Sequence, residues 1–515
     1  MIARPEGEPV APSDVTPGAP VLAMSRIPLL VALGLVAAPN LIFLATHLLS
    51  PLLAAVCVGF AVAALYLVVR DLDRSRDAVD RPLLATCLGA AFVLCLLGGE
   101  THLFFANNDW LIRDAVLGDL VGHAWPVGYT YEGDATFLRA PLGLYLSPAR
   151  VGKAFGLHAA HIALLVQNSV VFGCLFYCFA SAFPTRRRAL WVLGVFIVFS
   201  GWDMIGEVLY RGPPAFGEHL EQWQGELQYS SHVTQMFWVP NHAASGWAFV
   251  AAYLFWRRER LSAASLIVVF GFCVMWSPLS MMGALPFVAM AVVTDAAKRR
   301  VTAQGVAQVA LAALALAPIA LYLITDSARV PHGEQALKPY FIVEYLPFLA
   351  LEIVPSLVLL HLFKPVPIGS FLRKDLPVVI AILMACPLFR LGGADFVMRV
   401  SIPALAILAL CVADRTWFVL EERVRWPIAK ALIFLGIGAV TPFYEVARAL
   451  ITPTFAISSC NLMTASSVPP NNGPMAHYVA RIAAAGALDQ ILKMPDYALR
   501  AEPHPSCWPD HVLVP

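Results

Sequence analysis

"IPLLVALGLVAAPNLIFLAT", residues 27–46, decides how the rest of the chain is read. The run carries no charge, and only Asn40 and Thr46 are polar. As an α-helix rising ~1.5 Å per residue it reaches about 30 Å, the thickness of a bilayer's hydrocarbon core. It is too long for the apolar part of a secretory signal, and no small-residue cleavage site follows it. A helix retained in the membrane is expected.

Working outward, twelve further apolar runs follow, at 51–70, 83–99, 159–182, 189–205, 241–256, 261–277, 281–296, 304–324, 343–363, 376–391, 401–416 and 427–446. Of the 515 residues 59% are hydrophobic and only 13% charged, whereas soluble proteins are about a quarter charged. The expected fold is an all-α polytopic membrane protein of about 13 transmembrane helices. Residues 1–26 are polar and rich in Pro, Glu and Ala, and read as a disordered tail. The bundle spans 27–446 and a polar tail follows at 447–515. A net charge of +1 gives no reason to expect a nucleic-acid partner.

Charge sets the expected topology. Basic residues cluster at alternate connections: Arg74, Arg76 and Arg81; Arg186, Arg187 and Arg188; Arg257, Arg258 and Arg260; Lys298, Arg299 and Arg300; Lys364, Arg373 and Lys374; Arg415, Arg423 and Arg425. The positive-inside rule assigns all six to the cytoplasm. The N-terminus is then cytoplasmic and the C-terminus external. The large external loops are 100–158 and 206–240, so the chain's polar chemistry is concentrated on the outer face.

The first loop opens with "NNDWLIRDAVLGDLVG", residues 107–122, which reads as a short amphipathic helix at the outer membrane interface. Trp110 and Trp125 suit the headgroup layer. Asp109 and Arg113 are four apart and share a helix face. The plain reading makes Asp109, or either Asn before it, a helix cap with an ordinary ion pair. The functional reading makes Asp109 a general base at the mouth of a cavity, with Asp114 as the fallback. Further on, Tyr129, Tyr131, Tyr145, Arg139, Arg150 and Lys153 offer aromatic surface for sugar faces and positive charge for phosphate. Interfacial anchoring would use the same residue types.

The second loop carries His219, Glu221, Glu226, His232 and His242 among tryptophans. A divalent metal is chemically open to this set, yet the spacing matches no tight pattern such as His-Glu-x-x-His. Hydrogen bonding to a substrate is the reading preferred for Glu226, His232 and His242. Arg390 and Arg399 flank "RLGGADFVMRV" at the outer end of a late span, placed for a lipid-linked phosphate or for headgroup snorkelling.

Eight of ten cysteines fall in spans and read as small apolar packers. Cys460 and Cys507 both lie in the external tail, where a disulfide between them is expected. Ionisable residues inside spans are few. Glu352, one turn before Pro355, is the clearest, either functional or hydrogen-bonded within the bundle at a Pro kink. No chain of buried acids and histidines of the kind used in proton coupling is visible, nor an inverted pair of broken helices.

The many-helix bundle, the large external loop with amphipathic helices and the early loop acid together resemble the GT-C class of multi-span glycosyltransferases. The segments "NDWLIRDAVLGDL", "WPVGY", "PLGLYLSPARVGKAFG", "QYSSHVTQMFWVPNHAASGW" and "FVMRVSIPAL" are also similar to a group of bacterial polytopic membrane proteins. The GT-C resemblance implies a sugar donor on polyprenyl phosphate and an acceptor in the cell envelope, handled at the outer face of a bacterial inner membrane. It puts the catalytic acid at Asp109, or Asp114, and the phosphate-binding arginine at Arg399 or Arg390. The chain departs from that class in placing its acid loop after the third span, and in lacking an acidic-x-Asp motif at Asp109. The implied reaction is one inverting displacement. A transporter or flippase of lipid-linked saccharide, or another envelope-glycan transferase or polymerase, is the alternative.

Overall fold

The computed structural model describes residues 22, 24–72, 78–334, 338–361, 372–421, 425–468, 475–503 and 507–509. The expected N-terminal tail lies almost wholly outside them, as do Arg74, Arg76, Lys364 and Arg423.

The chain is overwhelmingly helical. Its first half runs α1 (Arg26–His47), α2 (Pro51–Leu72), α3 (Arg81–Leu97), α4 (Asn108–Gly122), α5 (Leu146–Phe155), α6 (Leu157–Ser181), α7 (Arg186–Ile197), α8 (Asp203–Tyr210), α9 (His232–Trp238) and α10 (Pro240–Arg257). Then come α11 (Ala263–Val274), α12 (Pro278–Ala297), α13 (Ala303–Ile324), α14 (Phe341–Glu352), α15 (Val354–His361), α16 (Leu376–Ala385), α17 (Asp395–Val400), α18 (Ile402–Glu421), α19 (Arg425–Ile451) and α20 (Leu462–Ala465). The described residues also form short strands β1 (Gly128–Tyr131), β2 (Asp134–Leu138), β3 (His332–Glu334), β4 (Phe389–Leu391) and β5 (Val479–Arg481).

Among the described residues seven helices are long and apolar enough to cross a membrane: α1, α2, α6, α12, α13, α18 and α19. The pair α14 and α15, bent by 41°, makes an eighth if counted as one span. The expected thirteen are therefore not matched at full length. α3 and α11 are shorter apolar helices, and α7 and α16 cover only part of their apolar runs. The α7 run stops early because the chain unwinds at 198–202 before turning into α8.

Burial separates centre from perimeter. α6, α10 and α18 are buried on nearly every side, as expected for helices that are apolar all round. α2, α12, α13 and α19 instead expose Leu52, Val62, Val293, Leu314, Ile433 and Phe443. An exposed apolar perimeter of this extent suits hydrocarbon rather than water.

The polar connections collect in two layers. In one, Arg186 pairs with Asp80 at 2.7 Å, Arg188 with Asp414, and Arg257 with Asp375 at 3.1 Å. Asp71 and Asp295 accept from the backbone N–H groups of Ser262 and Ala263. The described members of the basic connections around Arg186, Arg188, Arg257, Lys298 and Arg300 lie in this layer. In the other layer, β2 pairs with β1 and with β5 of the tail, Leu138 opposite Val479. β3 pairs with β4. Asp326 holds Arg481 at 2.8 Å, and Lys493 donates to Thr46 O at 2.9 Å. α2 and α13 run from one layer to the other.

Two expectations are settled in the loop layer. Cys460 and Cys507 form a disulfide, Cα–Cα 5.6 Å. α4, expected at the membrane interface, is instead enclosed: Trp110 is 1% exposed and donates from Nε1 to Phe237 O at 3.0 Å. Its polar residues misled the periodicity reading, because Arg113, Asp114 and Asp119 are buried with protein partners rather than facing water.

Candidate functional site

The site is built from the N-terminus of α4. Asn107 is the cap, its Oδ1 accepting from Asp109 N at 3.0 Å. That role satisfies an orphan backbone donor and leaves the Asp109 carboxylate for other work. One turn on, Arg113 Nη2 lies 3.1 Å from Asp109 Oδ2. The guanidinium is 5% exposed and the carboxylate 39%. A buried cation thus holds an accessible anion.

α17 supplies a second pair. Arg399 Nη2 lies 2.7 Å from Asp395 Oδ1. The helix is seated by Gly283 of α12, where a Cβ would come 1.9 Å from Val400 O. The two pairs act on each other electrostatically. Burial pushes the Asp395 carboxyl up to about 6, with Arg399 and Arg113 opposing and the like charge of Asp109 adding. Tyr145 and Tyr478 flank Arg113, and both Arg113 and Arg399 bear on His242 at the start of α10. His477, beside Tyr478, is held down to about 4 by burial and by Arg399 and Arg139. Five separate segments therefore converge on one polar cluster.

Two donors in it are unmatched. Arg113 Nη1 and Arg399 Nε are buried and meet no acceptor among the described residues. A buried N–H without an acceptor is costly, and guanidinium pairs suit phosphate oxygens. The arrangement can hold an oxyanion next to a carboxylate base.

The remaining expected residues are distributed as follows. Arg139 borders the cluster, but its Nη1 donates to Leu323 O at 3.4 Å and its Nη2 to Ala476 O at 2.5 Å, which ties the tail down. His242 is at the site, with Nδ1 2.5 Å from Ser277 Oγ. Arg390 is elsewhere, 3.3 Å from Glu226, which also binds Lys338; this half-exposed triad lowers the Glu226 carboxyl. His232 packs at an angle among the rings of Phe196, Phe199 and Trp247, with Nδ1 2.6 Å from Phe196 O, and burial pushes it down to about 3. Asp114 is 1% exposed and pairs with His102 Nε2 at 2.7 Å, with His161 3.9 Å away. It is enclosed there, whereas Asp109 is accessible.

Sequence reading missed Asp395, although it stands four before Arg399 in the loop already singled out. It also missed Tyr478 and His477, for which no local signal exists. It saw no chain of buried acids, and that is corrected: Asp203, Glu221, Glu352 and Glu445 are buried close together around His219. Among the described residues no group of three or more His, Cys, Asp or Glu side chains is arranged to hold a metal ion. No protein family, curated protein or solved structure matches this chain.

Proposed function

We propose that this protein is a membrane glycosyltransferase that moves a sugar from a polyprenyl-phosphate donor to an envelope acceptor, by a single inverting displacement. The observation that carries this reading is the convergence of Asp109, half open, with the buried Arg113 and the partly buried Arg399, each holding a buried N–H that meets no acceptor among the described residues. Asp109 takes the proton from an acceptor hydroxyl as that oxygen attacks the anomeric carbon. The C–O bond to phosphate breaks, and Arg399 with Arg113 neutralises the departing phosphate. Tyr145 and Tyr478 line the place where sugar and acceptor are oriented.

The proposal includes thirteen membrane crossings, with the shorter helices and the bent α14–α15 pair completing the count. It places the basic layer in the cytoplasm and the site and C-terminus in the periplasm of a bacterial inner membrane. The segregation of basic connections from the loop layer supports this.

The test uses a deletion strain rescued with wild type, Asp109→Asn or Arg399→Ala at matched membrane levels. Mass spectrometry follows envelope glycans and polyprenyl-linked sugars. Loss of one modification with accumulation of its lipid-linked donor in both variants is expected. Full rescue by both variants overturns the reading. One observation favours transport of lipid-linked saccharide as the second reading: α7–α8 and α14–α15 are broken helices that meet at buried acids. Under that reading the glycan is lost but purified protein transfers no sugar.

A further inference from the structure

α8 begins at Asp203, just after the unwound stretch 198–202. α14 ends at Glu352, at the 41° bend before α15. The two breaks are joined, since Trp202 N donates to Leu351 O at 3.0 Å. The two side chains are then brought within hydrogen-bonding reach of each other. They are 1% and 4% exposed. Gly201 makes this approach sterically feasible: a Cβ there would come 2.0 Å from Glu352 Oε2.

The partners of the two carboxyls differ. Asp203 Oδ2 accepts from Ser200 Oγ at 2.7 Å and from Thr441 Oγ1 at 3.0 Å. Glu352 Oε1 accepts from Trp223 Nε1 at 3.2 Å, while Oε2 is buried and meets no N–H or O–H donor among the described residues. Among the described residues no Lys, Arg or His lies within ion-pair distance of either. The charged groups that bear on the pair are Glu207 on α8 and Glu221 and His219 on the 206–240 loop; His219 in turn pairs with Glu445 on α19, which Arg448 also engages. Two ionised carboxylates without a cation cannot stay in contact in so dry a place. A proton resolves it, because a carboxyl can donate to a carboxylate, whereas two carboxylates can only accept.

We propose that Asp203 and Glu352 form a proton-binding pair, the proton sitting on Glu352 Oε2 and donated to Asp203. Asp203, with two hydroxyl donors, is the better-stabilised anion. Glu352, whose Oε2 has none, carries the acid form. Taking up the proton changes the pair from two negative charges to one. Losing it leaves two anions in contact, whose repulsion drives α8 away from the α14–α15 bend. A small groove lined by Ser200, Trp202, Pro355, Ser356 and Gly438 borders Ser200, the hydroxyl that donates to Asp203. The pair shares no residue with the Asp109 cluster, and its occupancy is independent of whether sugar is transferred.

The test is infrared difference spectroscopy on the full-length protein in lipid nanodiscs. At neutral pH the wild type is expected to show the carbonyl band of a buried carboxylic acid that is missing from Glu352→Gln. Gln preserves the shape and supplies an N–H to Asp203, so the fold is expected to hold. In Asp203→Asn the band is expected to persist but shift, because its acceptor has changed. Titrating the wild type to alkaline pH should remove that band, read as its difference from Glu352→Gln because Glu100, Asp119 and Glu221 are buried carboxyls too. Absence of any such band at neutral pH overturns the proposal. So does a wild-type spectrum with no band beyond those of Glu352→Gln, or a Glu352 band that disappears when sodium replaces potassium in the buffer, which would make the ligand a metal cation.

Discussion

Arg113 lies beneath Asp109, with Nη2 3.1 Å from Oδ2, and it is the cation that is buried while the anion faces out. An ordinary surface pair on a helix has both partners in water and contributes little. Here the guanidinium has been desolvated, which is costly, and one of its N–H groups is unmatched. Asn107 as the cap and Asp109 as the partner of Arg113 are what the plain reading of the sequence expected; an oxyanion would in addition give the unmatched N–H an acceptor.

Asp109→Asn is expected to cut sugar transfer by ~10²–10⁴-fold, the usual contribution of a positioned general base. The fold should survive, since Asn keeps an acceptor over Arg113 and the cap is untouched. Transfer from a synthetic polyprenyl-phosphate sugar, with thermal unfolding alongside, checks both halves.

Arg399→Lys keeps the charge but loses the planar fork, and a charge-assisted hydrogen bond is worth roughly 1.5–3 kcal/mol. The donor's Kd is expected to rise about 10-fold or more. An unchanged Kd would place the phosphate elsewhere.

Asp395 gives a pH dependence. Its carboxyl is pushed up to about 6, so it is ionised at neutral pH and becomes protonated as pH falls through that value. Protonation releases Arg399 from its partner. The pH–rate profile is expected to bend downward on the acid side near 6. In Asp395→Asn that bend should be gone.

His102 and Asp114 make a stability prediction. Burial opposes the His102 imidazolium, but the Asp114 hydrogen bond and charge outweigh it and raise its pKa. A raised folded pKa adds stability that is complete below about 6.5, the unfolded value, and fades as pH rises through the folded value. His102→Gln should therefore cost most at acidic pH, up to ~3–5 kcal/mol for breaking a buried pair. The gap from wild type should narrow toward alkaline pH. Melting in detergent across a pH series measures it.

The Cys460–Cys507 bridge closes a separation of 47 residues. The chain-entropy treatment gives such a loop about 4 kcal/mol. Cys507→Ser is expected to loosen the tail that carries His477 and Tyr478, raising its protease sensitivity and weakening transfer together. Equal protease resistance with and without reductant would count against this.

Much of this was legible along the chain. Apolar runs long enough for a bilayer marked the helices, and arginine clusters marked the layer that Asp80, Asp375 and Asp414 hold together. The Asp109–Arg113 pair could be read from its spacing alone, because a helix puts residues four apart on one face. The disulfide was readable because only two cysteines lie outside the apolar runs. Each of these signals is local or compositional, and the chain states it directly.

Tertiary structure alone decided the rest. It brought Arg399, Asp395, His477 and Tyr478 to Asp109 from distant segments. It enclosed α4, whose polar face had looked solvent-bound, and it separated Arg390 and Glu226 from the site. It joined Asp203 to Glu352 across two helix breaks. Meetings like these depend on which helix faces touch and where a helix unwinds. Both are settled by packing among many segments, and no single stretch of sequence records them.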